Sequence, residues 1–146
     1  MAIGIIWGEI WNEAIWNTAI WAQSAGSDTT PDQFSFSDQS GVALSSTITS
    51  APTSPITGID TTVEFTATGG TIDVNGDDDF QASRDVVAGD TLRARHTSSA
   101  SYLTAVNTLV EGGGVSDTFT STTTPDPSLS EPRGLGRLSI RLGLGI

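Results

Sequence analysis

The chain has 146 residues, 36% of them hydrophobic, and six cations against 17 acids give a net charge of −11. That length supports one ordinary domain with extensions, and six cations, all of them arginine, are too few to build the clustered positive surface that nucleic-acid binding through phosphates requires. No cysteine is present and His96 is the single histidine, which excludes disulfides, thiolate metal sites, thiol catalysis and a histidine metal cage.

The amino-terminal segment comes first and is the most apolar in character. All four tryptophans fall within the first 21 residues, where the only charges are Glu9 and Glu13. A five-residue unit runs Ile10-Trp11-Asn12-Glu13-Ala14, Ile15-Trp16-Asn17-Thr18-Ala19, Ile20-Trp21-Ala22-Gln23, and Ile6-Trp7-Gly8-Glu9 precedes it. On a helix this spacing sets successive tryptophans about 140° apart, and on a flat strand it turns them to alternate faces, so neither element gives one apolar stripe. A signal peptide does not fit, because the basic start is missing and two glutamates interrupt the apolar residues; two asparagines more break any clean membrane span. Four indoles offer roughly 600 to 1,000 Å², or about 15 to 25 kcal/mol, against roughly 20 to 40 kcal/mol for ordering some 20 residues. The segment therefore needs a surface to bury against, either a partner or the chain's own domain. Its composition is that of an interface hot spot, and Ile6, Trp7, Ile10, Trp11, Ile15, Trp16, Ile20 and Trp21 are the expected anchors.

From residue 31 to residue 127 the chain carries 13 acids and three arginines, and its pattern is that of strands. Period-two alternation occurs at Phe34/Phe36, Val42/Leu44/Ser46/Ile48, Val63/Phe65/Ala67, Ile72/Val74 and Leu92/Ala94/His96, with polar residues expected on the opposite, wet face. Turn signals divide the runs: Pro52 and Pro55, Gly69-Gly70, Asn75-Gly76, Gly89-Asp90 and Gly112-Gly113-Gly114. No helical period appears between residues 31 and 125. The expectation is an all-β fold of about eight short strands, an antiparallel sandwich of immunoglobulin-like size, with a small barrel as the alternative.

The segments Asp28–Phe36, Val42–Ser50, Val87–Ser101 and Ser116–Thr123 together resemble a bacterial-type immunoglobulin-like module of bacterial surface proteins and tailed-phage structural proteins. The resemblance spans residues 28–127. It implies a binding or spacing role and supplies no catalytic residues, so it speaks to fold more than to function.

Beyond this region, Thr122 to Ser128 reads as an extended linker, since Pro125 and Pro127 disfavour helix. Leu138, Ile140 and Leu142 then alternate with Ser139 and Arg141, a strand with no sequence neighbour to pair with. Strand addition to another subunit is the expectation there, with Arg133, Arg137 and Arg141 pairing with acids on a neighbour; docking on the same chain is the alternative. The expected division is an arm at 1–27, a sandwich at 28–127, and a linker with a strand-like arm at 128–146.

Three chemical patterns merit testing. Asp73-Val-Asn75-Gly-Asp77-Asp-Asp79 opens like a calcium loop, but its sixth position is Asp78 where glycine is required and its twelfth is Arg84 where a bidentate glutamate is required. A solvated acidic turn accounts for it better. His96 continues a strand pattern, and no Gly-x-Ser-x-Gly elbow accompanies it, so it is expected to be a sheet residue and no base. Neither Gly112-Gly-Gly114 nor Gly134-Leu-Gly136 is followed by the helix that phosphate binding uses. No catalytic residue, cofactor or metal ligand is therefore assigned.

What remains is a non-enzymatic assembly protein. The expected function is that of a virion structural protein, a capsid decoration or cement protein of a tailed bacteriophage, on the virion surface. Its expected partners are the major capsid protein or another virion protein and further copies of the chain, a trimer among them, with neither nucleic acid nor membrane. The alternative is a tail- or surface-associated adhesin whose sandwich recognises a receptor; the location of every tryptophan outside the sandwich favours the first.

Overall fold

The computed structural model describes residues 26–130. Eight strands follow one another there: β1 (Gln39–Val42), β2 (Thr47–Thr49), β3 (Val63–Thr68), β4 (Thr71–Val74), β5 (Ser83–Val86), β6 (Leu92–Thr97), β7 (Ala105–Gly112) and β8 (Val115–Thr123). A four-residue helical turn, Pro127–Ser130, comes last. The strands form two sheets, one ordered β1-β8-β7-β3-β5 and the other β2-β6-β4. Every named pair is antiparallel except β1 with β8. The described region is thus all-β and two-layered.

Alternation explains the strands that form the centre. On β6, Leu92, Ala94 and His96 are buried, while Arg93 and Arg95 are half-buried on the other face. The same period buries Val63 and Phe65 on β3 and Phe119, Ser121 and Thr123 on β8. Phe65, Phe119, Ile72, Leu92, Val86 and Val110 are fully enclosed between the layers. The β7–β8 hairpin closes through Gly113 (φ 58°) and Gly114 (φ 82°), so the triple glycine is the tight turn that its left-handed backbone requires.

Elsewhere the local pattern and the observed element differ. Phe34 and Phe36 are buried and pack on Phe65 and Phe119, at ring-centroid distances of 5.5 and 6.5 Å. Yet they belong to no strand: the Phe36 amide donates to the Asp117 carboxylate at 2.6 Å instead of to a ladder carbonyl. The run from Val42 to Ile48 is cut at Ser45, whose φ of 48° turns the chain from the five-stranded sheet to the three-stranded one. After β2 the chain still follows β6, with the amides of Ser50, Thr53 and Ile56 donating to the carbonyls of Ala94, Leu92 and Asp90. Pro52 and Pro55 have no N–H to donate, and the amides of Ala94 and Leu92 on β6 donate to the hydroxyls of Ser50 and Thr53, which stand in for ladder carbonyls.

The Gly69-Gly70 turn joins β3 to β4 without pairing them, since the two strands belong to different sheets. A Cβ on Gly70 would lie 2.5 Å from the Arg95 carbonyl oxygen, which is why glycine is needed where the turn crosses β6. Reciprocal backbone bonds of 2.8 and 2.9 Å between Ile72 and Gln81 then stitch β4 to the approach of β5. On this side the two layers are joined in the manner of a barrel seam.

Candidate functional site

The acidic turn after β4 begins with two left-handed residues, Asn75 (φ 57°) and Gly76 (φ 74°). Asn75 ties the turn to the β5–β6 connection: its Nδ2 donates to Asp90 Oδ1 at 2.6 Å and its Oδ1 accepts from the Thr91 amide at 3.0 Å. Two arginines take up the aspartates. Arg84 contacts Asp77 at 2.5 Å and Asp79 at 3.1 Å, and Arg93 contacts Asp73 at 2.6 Å and Asp78 at 2.7 Å. Each of the four aspartates is thus engaged by a guanidinium group, with Asp79 also accepting from the Gln81 side chain. Among the described residues no cluster of three His, Cys, Asp or Glu side chains is arranged to hold a metal ion.

From Asn75 to Asp79 the turn is exposed, as its sequence implies, and burial begins at Asp73 on the strand before it. Asp73 is opposite Arg93 across the β4–β6 ladder and is completely buried. Its Oδ2 accepts from Arg93, but its Oδ1 has no hydrogen-bond donor. Burial raises the Asp73 pKa above the usual carboxylate value, and the neighbouring Asp77 carboxylate adds to this. Hydrogen bonds from Arg84 hold Asp77 well below that value, and Arg84 and Arg93 are themselves raised by their aspartate partners. The two carboxyl groups can hydrogen-bond to each other only when one carries a proton.

His96 sits between the layers. Its Nδ1 lies 2.7 Å from Thr108 Oγ1 on β7 and its Nε2 lies 2.7 Å from Ser121 Oγ on β8. The ring stacks on Phe119 at 4.9 Å between centroids. Thr108 also donates, at 3.4 Å, to the Gly69 carbonyl, so its oxygen accepts from Nδ1–H, and Ser121 donates to Nε2. A neutral imidazole satisfies both partners, and burial lowers its pKa. No carboxylate orients this histidine, and both hydroxyls are enclosed, Thr108 and Ser121 being fully buried. The arrangement joins two sheets and presents no nucleophile to a substrate.

No protein-family model and no curated protein matches this chain.

The fourteen anchoring residues expected from the sequence, Ile6, Trp7, Ile10, Trp11, Ile15, Trp16, Ile20 and Trp21 at one end and Arg133, Arg137, Leu138, Ile140, Arg141 and Leu142 at the other, all lie outside the described residues, as does Gly134-Leu-Gly136. The structure adds a feature that no motif announced. Phe80 folds over the outer face of the three-stranded sheet, its ring centroid 3.7 Å from the Arg95 guanidinium carbon and 5.3 Å from that of Arg93. An arginine at every second position of β6 was the available signal, since alternation places Arg93 and Arg95 on one face.

Proposed function

We propose that the chain is a non-enzymatic virion structural protein, a capsid decoration or cement protein of a tailed bacteriophage, anchored by its ends and projecting an immunoglobulin-like domain. The observation that carries this reading is the segregation of apolar surface. Every tryptophan falls within the first 21 residues. The large apolar side chains exposed among the described residues are Val87, Tyr102, Leu103, Leu109 and Leu129, set singly or as one pair on separate turns and strands. Such scattered residues are ordinary surface. The capacity to bury a large area against a partner therefore resides in the tryptophan arm, and the partner is the major capsid protein or another virion protein together with sister copies.

Strand order supports the immunoglobulin-like assignment. The order β2-β6-β4 corresponds to the B, E and D strands of such a module, and β3, β7 and β8 correspond to C, F and G. β5 departs from that plan, because it follows β4 in the chain but extends the sheet of β3. The charge of the region supports an outward position: 13 acids against three arginines between residues 31 and 127 make neighbouring particles repel.

The test is to produce the chain without residues 1 to 23 and compare its incorporation into particles and its oligomeric mass with those of the full chain. Loss of both is expected. Unchanged incorporation with unchanged mass would remove the anchoring role.

A further inference from the structure

Three arginines serve the 14 acids between residues 26 and 130. Arg84 and Arg93 are each held by two carboxylates. Arg95 makes no ion pair with any described residue, although it lies in the middle of the three-stranded sheet, opposite Thr49 of β2 and Thr71 of β4. Its guanidinium rests on the Phe80 ring at 3.7 Å. Stacking of this kind holds the fork flat while leaving its N–H edges free to donate.

Those donors border an open depression of about 550 Å³ lined by Thr47, Gly69, Gly70, Thr71, Arg95, His96 and Thr97, and both ring nitrogens of His96 are already engaged by Thr108 and Ser121. The size lies within the ordinary range of small-molecule sites. Three threonines, two glycines, His96 and one cation with no ion pair among the described residues make up its wall; no carboxylate and no large aliphatic side chain is among them. The Thr71 hydroxyl donates weakly to the Arg95 carbonyl at 3.4 Å and keeps its own lone pairs for a ligand.

We propose that this depression binds a sugar bearing a single carboxylate, with Arg95 taking the carboxylate through its paired N–H groups and Thr47, Thr71 and Thr97 meeting the ring hydroxyls. A guanidinium fork matches a planar carboxylate bidentately. The surrounding net charge disfavours ligands with several negative charges, which sets a monocarboxylate above a phosphate or a polyanion. The absence of an apolar pocket for an anchoring side chain sets a hydroxyl-rich ligand above an acidic loop of a protein. The proposal is independent of the anchoring role of the ends and survives or fails without it.

The experiment is an amide chemical-shift titration of the full chain with glucuronate, glucose, inorganic phosphate and a short glutamate peptide. One charged fork and a few hydroxyls correspond to a dissociation constant of ~1 mM. Glucuronate is expected to give saturable shifts at Thr47, Gly69, Gly70, Thr71, Arg95 and Thr97, and glucose to bind at least about tenfold more weakly. Arg95→Gln is expected to weaken glucuronate by about ten- to a hundredfold, and Thr71→Val, which leaves the guanidinium in place, by a smaller factor. Equal response to glucose and glucuronate, phosphate or peptide binding as tight as glucuronate, or glucuronate shifts that survive Arg95→Gln would each overturn the assignment. So would the absence of saturable shifts at these amides.

Discussion

Replacing His96 by phenylalanine separates the packing role of the ring from its two hydrogen bonds. The new ring keeps the stacking surface against Phe119, now 4.9 Å from the imidazole centroid. Thr108 retains the Gly69 carbonyl as an acceptor, whereas Ser121 loses the partner of its hydroxyl. One buried hydroxyl left unpaired costs about 1–3 kcal/mol, and His96→Phe is expected to be less stable by that amount near neutral pH. The pH dependence is more diagnostic. Burial lowers the folded-state pKa of His96 below its ordinary value of 6.5, so below that pH the unfolded chain binds a proton that the folded chain resists. Stability of the natural sequence is then unaffected by this group above pH ~6.5 and falls as the pH drops, with a limiting slope of about 1.4 kcal/mol per unit. The variant lacks that slope, and carboxylate titrations common to both proteins cancel in the difference. Urea unfolding followed by far-ultraviolet circular dichroism, from pH ~7.5 down to ~5, should show the gap between the two proteins narrowing steadily below the histidine value. A gap that stays constant across that window would refute the neutral, doubly bonded imidazole.

The remaining expectations concern the same interior and the acidic turn. Ser121→Ala should be destabilising alone but nearly neutral when added to His96→Phe, and a coupling of about 1–3 kcal/mol in that double cycle measures the bond; additive losses would mean that the hydroxyl and the ring act separately. Asp73→Asn should raise the melting temperature by about 4–8 °C, because an amide nitrogen at the unpartnered position can donate to Asp77 while the amide oxygen still accepts from Arg93. The pKa of Asp73 is raised, so its contribution is favourable below the unfolded carboxylate value and is lost as pH rises through the folded value; the gain from Asp73→Asn should therefore shrink in acid, which calorimetry across pH will show. Asp77 acts with the opposite sign, stabilising above the unfolded carboxylate value and losing that contribution as acid protonates it. Gly112→Ala should cost about 1–3 kcal/mol by overpacking, since its Cβ would lie 2.5 Å from Cγ of the Phe65 ring, and thermal unfolding will read the loss.

Strands β3, β4 and β6 were legible because their apolar residues recur at every second position and face a common interior. β5, reading Ser-Arg-Asp-Val, carries one apolar residue and is held by its ladder to β3, so its strand character comes from a partner nearly twenty residues away. Residues 50 to 56 follow β6 without a legible pattern, because Pro52 and Pro55 interrupt the run and side-chain hydroxyls take the place of ladder carbonyls as acceptors. The expectation that the polar residues between alternating apolar ones face water failed at Asp73, which is buried between Ile72 and Val74, and no pattern on β7 or β8 pointed to the buried hydroxyls of Thr108 and Ser121. Each is buried opposite a specific partner on another strand, and a local alternation carries no information about that partner.

The buried imidazole also bears on how the layers are aligned. An apolar interface between two sheets tolerates sliding, because one branched side chain replaces another at little cost. His96 projects from the three-stranded sheet and needs two hydroxyls from adjacent strands of the other, Thr108 on β7 and Ser121 on β8. Moving β6 along by two residues would set the imidazole against Val110 or Phe119, the next buried residues on those strands, and leave two ring nitrogens and the Ser121 hydroxyl unpaired. The register that satisfies His96 is the one that places Arg93 beside Asp73 and stacks Arg95 under Phe80 on the opposite face of β6. A polar contact inside the domain thereby determines the geometry of the charged surface outside it.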